Sequence, residues 1–168
     1  MNAAPAGQLR ANGFTLIELI AVIVIIGVIA ITALAQFSDL GRDARQTQIA
    51  QLRAALESAA SDSTVLCMAN QNCAFSTSVV IFPVRGRDCV FVNGFIDAGD
   101  FNNGLYCEIH DFVNTSGFTV YFDPLTNYTE FRLTAAPTPT ACYARYSQVF
   151  DVDPFGTRPR ITTVTTGC

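Results

Sequence analysis

The sequence predicts an α+β fold, in which one long N-terminal α-helix packs on an antiparallel β-sheet head closed by disulfides. Three observations carry that prediction. Gly13 to Phe37, GFTLIELIAVIVIIGVIAITALAQF, is a near-continuous apolar run with a single acid, Glu18, close to its start. Residues 38–61 then space their apolar side chains at helical intervals, and residues 62–168 alternate strand-like segments with turns while holding all six cysteines.

The apolar run is the first element. From Leu19 to Ala35 no residue is charged, close to the roughly 20 apolar residues that cross a bilayer as a helix. Arg10 precedes the run, and a base before a hydrophobic segment holds the N-terminus in the cytoplasm. Two processing readings follow. Ala33-Leu34-Ala35 has the A-x-A form of a signal peptidase site, which would release a secreted soluble binding domain beginning at Gln36. A cut after Gly13 would instead keep the run in the mature protein. Glu18 needs explaining in either case, because an acid well inside a membrane helix costs up to about 2.5 to 3.5 kcal/mol on insertion scales. It either snorkels at a helix start, where acids suit the dipole, or finds a positive partner.

The second element is the continuation of the helix through residues 38–61. Ile49, Leu52, Leu56 and Ala59 form one apolar stripe, the face on which a head can pack. Asp39, Arg42 and Asp43 read as solvated helix charges, with pairs worth a few tenths of a kcal/mol at most. The helix is expected to end near Ser61, with a polar loop to Ser78.

The third element is the head. Val79 to Val84 and Cys89 to Val92 are rich in β-branched and aromatic residues, and Asn93-Gly94 marks a turn. Phe118 to Asp123 and Tyr128 to Thr134 alternate around Pro124-Leu125-Thr126-Asn127, as a hairpin does. Cys142 to Phe150 reads as a further strand, and Ile161 to Thr166 as a short last one. Six cysteines with no C-x-x-C pair and one histidine, His110, fit a disulfide framework in an oxidising compartment better than structural zinc. Six cysteines allow 15 pairings; sequential pairing joins Cys67 to Cys73, Cys89 to Cys107 and Cys142 to Cys168.

Composition narrows the function classes. The chain has 168 residues, with 14 acids against 10 bases, all of them Arg, for a net charge of −4. No basic field supports nucleic-acid binding. The mean hydropathy is +0.32, and most of that excess sits in the N-terminal quarter. Asp97 and Asp100, in Asp97-Ala98-Gly99-Asp100-Phe101-Asn102-Asn103-Gly104, gather oxygen ligands as a calcium loop does, and Asp151 and Asp153 form a weaker version. Neither has the EF-hand spacing, and turn-forming loops account for both. No cofactor is expected otherwise. His110 beside Asp111 resembles a base with its orienter, but on a strand neighbours point to opposite faces and no nucleophile motif accompanies them. The chain therefore reads as a non-enzyme. Asn114-Thr115-Ser116 and Asn127-Tyr128-Thr129 match a pattern short enough to arise by chance. Some of the 13 Phe and five Tyr are candidates for exposed sugar-stacking rings, most of them for core.

Gly13-Phe14-Thr15-Leu16-Ile17-Glu18 followed by an apolar helix resembles the type IV pilin and pseudopilin signature. Residues 37–45, FSDLGRDAR, are similar to mannose-sensitive haemagglutinin-type pilins. The resemblance spans roughly the first 60 residues. It implies a leader of residues 1–13, cleavage between Gly13 and Phe14 by a prepilin peptidase, and N-methylation of Phe14. It further implies a transmembrane or filament-core helix over 14–37, its amphipathic continuation over 38–61 and a β-rich head over 62–168. Glu18 of one subunit would then pair with the Phe14 amine of a neighbour in a homopolymer built by pilus assembly machinery. The precursor would sit in the inner membrane of a Gram-negative bacterium, and the assembled filament outside the cell. A major pilin is the first expectation; a type II secretion pseudopilin or a minor pilin in DNA uptake shares the same N-terminus. Relatives often loosen the helix between a glycine at position 27 and a proline eight residues on. Here Ala35 stands in the proline's place, and a continuous helix is expected.

Overall fold

The computed structural model describes residues 15–70, 79–99, 104–148 and 158–168, with 34–38 as backbone only. The chain divides into two compact units, Met1–Gly41 and Arg42–Cys168. Helix α1 (Leu16–Ala69) runs without interruption through Gly27 and Ala35. Neither site has a proline to remove an i→i−4 bond, and one glycine lowers helix propensity by only about 1 kcal/mol.

In the first unit, the described apolar side chains from Leu16 to Ile31 are exposed, and Thr32 returns its hydroxyl to the Ile29 carbonyl. A helix that is apolar all round has no internal face to bury against.

The second unit has its own core. Ile49, Leu52, Leu56 and Ala59 of α1 are buried as the stripe predicts. The helix does not stop at residue 61. The stripe continues through Ala60, Ser63 and Cys67, all buried, and residues 62–69, expected in the loop, form its last two turns. Ser-Asp-Ser-Thr is a weak helix sequence, but Ser63 is accommodated in the core. Its hydroxyl donates to the Ala60 carbonyl at 2.7 Å and accepts the Ile96 N–H at 3.2 Å.

Two antiparallel sheets replace the single sheet expected. The first joins β1 (Val79–Val84), β2 (Arg87–Val92) and β3 (Phe95–Ile96) in that order. Both of its turns are two-residue hairpins with positive φ at each position, Arg85-Gly86 (50° and 84°) and Asn93-Gly94 (55° and 81°). This is the twist-matched geometry that favours Asn-Gly. Pro83 lies on the edge strand β1, where a missing N–H is tolerated. After the short helix α2 (Ile109–Phe112), the second sheet is a meander of β4 (Phe118–Asp123), β5 (Tyr128–Leu133), β6 (Tyr143–Ser147) and β7 (Arg160–Val164). The strand expected over 142–150 is thus shorter, with Phe150 outside the described residues.

Polar side chains stitch the two sheets together. Tyr146 of β6 donates its hydroxyl to the Ile96 carbonyl at 2.8 Å. The Gln148 amide donates to the Val92 carbonyl and accepts the Ala98 N–H, both at 3.1 Å. Thr129 donates to the Ala98 carbonyl. Each supplies a partner that buried backbone needs where two ladders end. Phe82 and Phe91 stack with centroids 4.3 Å apart, and Phe91, Phe131 and Tyr146 fill the centre.

Candidate functional site

The first turn of α1 holds the residue singled out by charge. Glu18 is exposed, and its N–H reaches the Thr15 carbonyl at 3.1 Å, with Leu19 N–H at 3.3 Å from the same oxygen. Thr15 and Glu18 also stand at the spacing of a capping box, a helix-start signal that the charge argument alone passes over. Gly13 and Phe14, the expected cleavage and methylation positions, lie outside the described residues. Leu16–Ala33 is long and apolar enough to cross a membrane.

The cysteines lie in the second unit. Cys89 is bonded to Cys107 and Cys142 to Cys168. Cys67 is also disulfide-bonded; Cys73, its expected partner, lies outside the described residues. The Cys142–Cys168 bond ties the last strand back to the 3-10 turn Pro139–Ala141, where Gly167 N–H reaches the Ala141 carbonyl at 2.8 Å. Arg45 of α1 donates to the Cys168 carbonyl, so the same residue is held from the helix as well.

Of the oxygen-rich candidates, Asp97 is the one described. It is 3% exposed. Burial raises its carboxyl above the ordinary value, against hydrogen bonds from Ala98, Gly99 and Asn127 that lower it. Its oxygens are thus engaged as a loop brace. Asp100, Asp151 and Asp153 lie outside the described residues. Among the described residues no group of three His, Cys, Asp or Glu side chains is placed to hold a metal ion.

His110 and Asp111 are not on a strand, as expected, but in α2. Glu108 is its N-cap and forms a reciprocal capping box with Asp111, whose Oδ2 accepts the Glu108 N–H at 3.1 Å. Asp111 also takes Arg87 at 3.0 Å. His110 Nδ1 lies 3.6 Å from Glu108 and its Nε2 lies 3.8 Å from Asp111. Asp111 is thereby occupied in capping α2 and tying it to β2. The signal was legible as an acid three residues after an acid at a helix start, but a four-residue helix leaves no periodicity to find. At the second asparagine motif, Asn127 sits in the left-handed region at φ 49° and Thr129 is buried.

Residues 9–34 match the family described as the prokaryotic N-terminal methylation motif. No curated protein and no solved structure matches the chain. The motif supports a type IV pilin or pseudopilin-type precursor and implies peptidase processing and pilus assembly machinery in general; with the apolar helix it is consistent with a membrane-anchored precursor. It spans the apolar helix and stops before the head.

Proposed function

We propose that this chain is the major structural subunit of a bacterial type IV pilus, polymerising through α1 for adhesion, surface attachment or motility. The observation that carries this reading is a coincidence. The methylation motif over residues 9–34 overlays the membrane-length segment Leu16–Ala33, whose apolar side chains from Leu16 to Ile31 are exposed.

The precursor is held in the inner membrane of a Gram-negative bacterium, cut after Gly13 and drawn into a homopolymer outside the cell. Polymerisation then exchanges lipid for neighbouring helices, one apolar surrounding for another, so its specificity comes from packing and from polar pairing. Glu18 supplies the pairing. Cleavage creates an amine on Phe14, and Glu18 of one subunit neutralises that amine on the next, removing an unpaired charge from each. Glu18→Ala is expected to leave cleavage and membrane insertion intact and to abolish filaments, read by mass spectrometry and electron microscopy. Normal filaments in that variant would sink the pairing role. Long surface fibres mark a major pilin, whereas a short periplasmic assembly with a secretion defect marks a pseudopilin.

A further inference from the structure

The outer face of the four-stranded sheet gathers arginines and tyrosines in a chain of net charge −4. Strand register puts them there: Tyr121 lies opposite Glu130, Glu130 opposite Arg145, and Arg132 opposite Tyr143. Glu130 is the hub, 3% exposed in its side chain. Its Oε2 accepts Arg132 Nε at 2.8 Å and Nη2 at 2.6 Å. Its Oε1 accepts Arg145 Nε at 3.0 Å and also Arg145 Nη2. The Arg132 guanidinium lies over the Tyr121 ring, 4.1 Å from its centroid. Arg145 lies 4.1 Å from the centroid of Tyr128 and 5.3 Å from that of Tyr143, and it donates to the Tyr143 hydroxyl at 3.2 Å.

Asp123 stands opposite Tyr128 and Arg160 opposite Ser147 on the same face, so three guanidiniums and two carboxylates leave one positive charge in surplus. Stacking and the shared carboxylate fix the Arg132 and Arg145 forks, so little side-chain entropy remains to be lost on binding. Arg132 and Arg145 keep 26% and 31% of their side-chain surface, and their Nη1 groups bond to no described residue. Tyr121, 42% exposed, stands on the edge strand β4.

We infer that this face binds a carboxylated sugar chain, a polysaccharide of the uronate type. The carboxylate of one sugar meets the single surplus charge, and the Nη1–Nη2 edge of Arg132, which Glu130 leaves open, matches its two oxygens. The tyrosine rings offer apolar surface to the C–H face of the pyranose. A nucleic acid would call for a field of several positive charges, which one surplus charge does not provide. A neutral glycan would leave the arginines unused. The inference is independent of the polymerisation reading.

The test uses the full chain in detergent micelles, titrated with oligogalacturonate, its methyl ester and poly-glutamate. Oligogalacturonate is expected to bind, with the ester and poly-glutamate each weaker by about tenfold or more, since the ester lacks the charge and poly-glutamate lacks the ring. Arg132→Lys keeps a positive charge beside Glu130 but loses the fork, and Tyr121→Ala removes the exposed ring. Each should weaken binding by about tenfold while the unfolding transition stays in place. Failure of oligogalacturonate to bind, equal binding of either comparison ligand, or indifference to both substitutions would overturn the inference. So would self-association that Arg132→Lys abolishes in a chain that ignores uronate, which would make the face a contact between copies.

Discussion

Ile31 and Leu56 belong to one helix, yet Ile31 is 75% exposed and Leu56 0%. Both are apolar residues at helical positions, so propensity does not separate them; what covers them does. Around Leu56 the chain supplies two sheets, buried aromatic rings and disulfides, and the hydrophobic contribution is realised within the molecule. Around Ile31 no described residue covers the apolar side chains, and an exposed apolar surface of that extent marks an interaction site. The head buries a core of its own, whereas the described apolar side chains from Leu16 to Ile31 stay exposed.

Four perturbations break or sharpen that contrast. Phe131→Ala empties the centre of the head and should cost about 3 to 5 kcal/mol in its unfolding free energy, read by chemical denaturation, with membrane insertion unchanged. Ile25→Arg reverses the pattern. It should disfavour insertion by about 2.5 to 3.5 kcal/mol, read by membrane fractionation, with the head's denaturation midpoint unmoved. A shift of both readouts in either variant would deny the separation. Gln148→Ala should cost about 1 kcal/mol by removing the amide that bridges the Ala98 N–H and the Val92 carbonyl, the Ala98 N–H keeping Asp97 Oδ1 at 2.9 Å, with cooperativity of unfolding showing whether the two sheets still melt together.

The smallest effect is in pH dependence. The raised Asp97 carboxyl holds its proton more tightly folded than unfolded. Its contribution to stability is therefore full below the ordinary value of 3.8 and is lost as pH rises through the raised folded value. Asp97→Asn should remove that downward slope from the stability–pH profile. Asp123 acts in the opposite direction, since hydrogen bonds from Leu125 and Thr126 lower its carboxyl. The comparison of wild type with Asp97→Asn isolates the Asp97 slope from it. An unchanged slope would show that Asp97 ionises as freely folded as unfolded.

Legibility followed local signals. The helix interior, the apolar stripe from Ile49 to Ala59, the hairpin of β4 and β5 and the Asn93-Gly94 turn each carry a period or a turn chemistry that neighbours in sequence express. The helix end was hidden because Ser63 and Cys67 hold core positions through tertiary partners, Ile96 and a disulfide, that local composition does not reveal. The division into two sheets depends on Gln148, Tyr146 and Thr129 reaching backbone distant in sequence, and the two-residue strand β3 is too short to show alternation. Glu18 was legible as a misplaced charge. The arginine and tyrosine face was not singled out, although the alternation Tyr128, Glu130, Arg132 on β5 holds it in plain view.

The mature N-terminus tests the central claim most directly, because the helix takes part in assembly only if it is retained. Intact-mass and terminal-peptide spectrometry of the protein from its native host should find N-methylated Phe14 as the first residue. A mature chain beginning at Gln36 would contradict the account, since it would leave the head without the segment through which polymerisation is proposed.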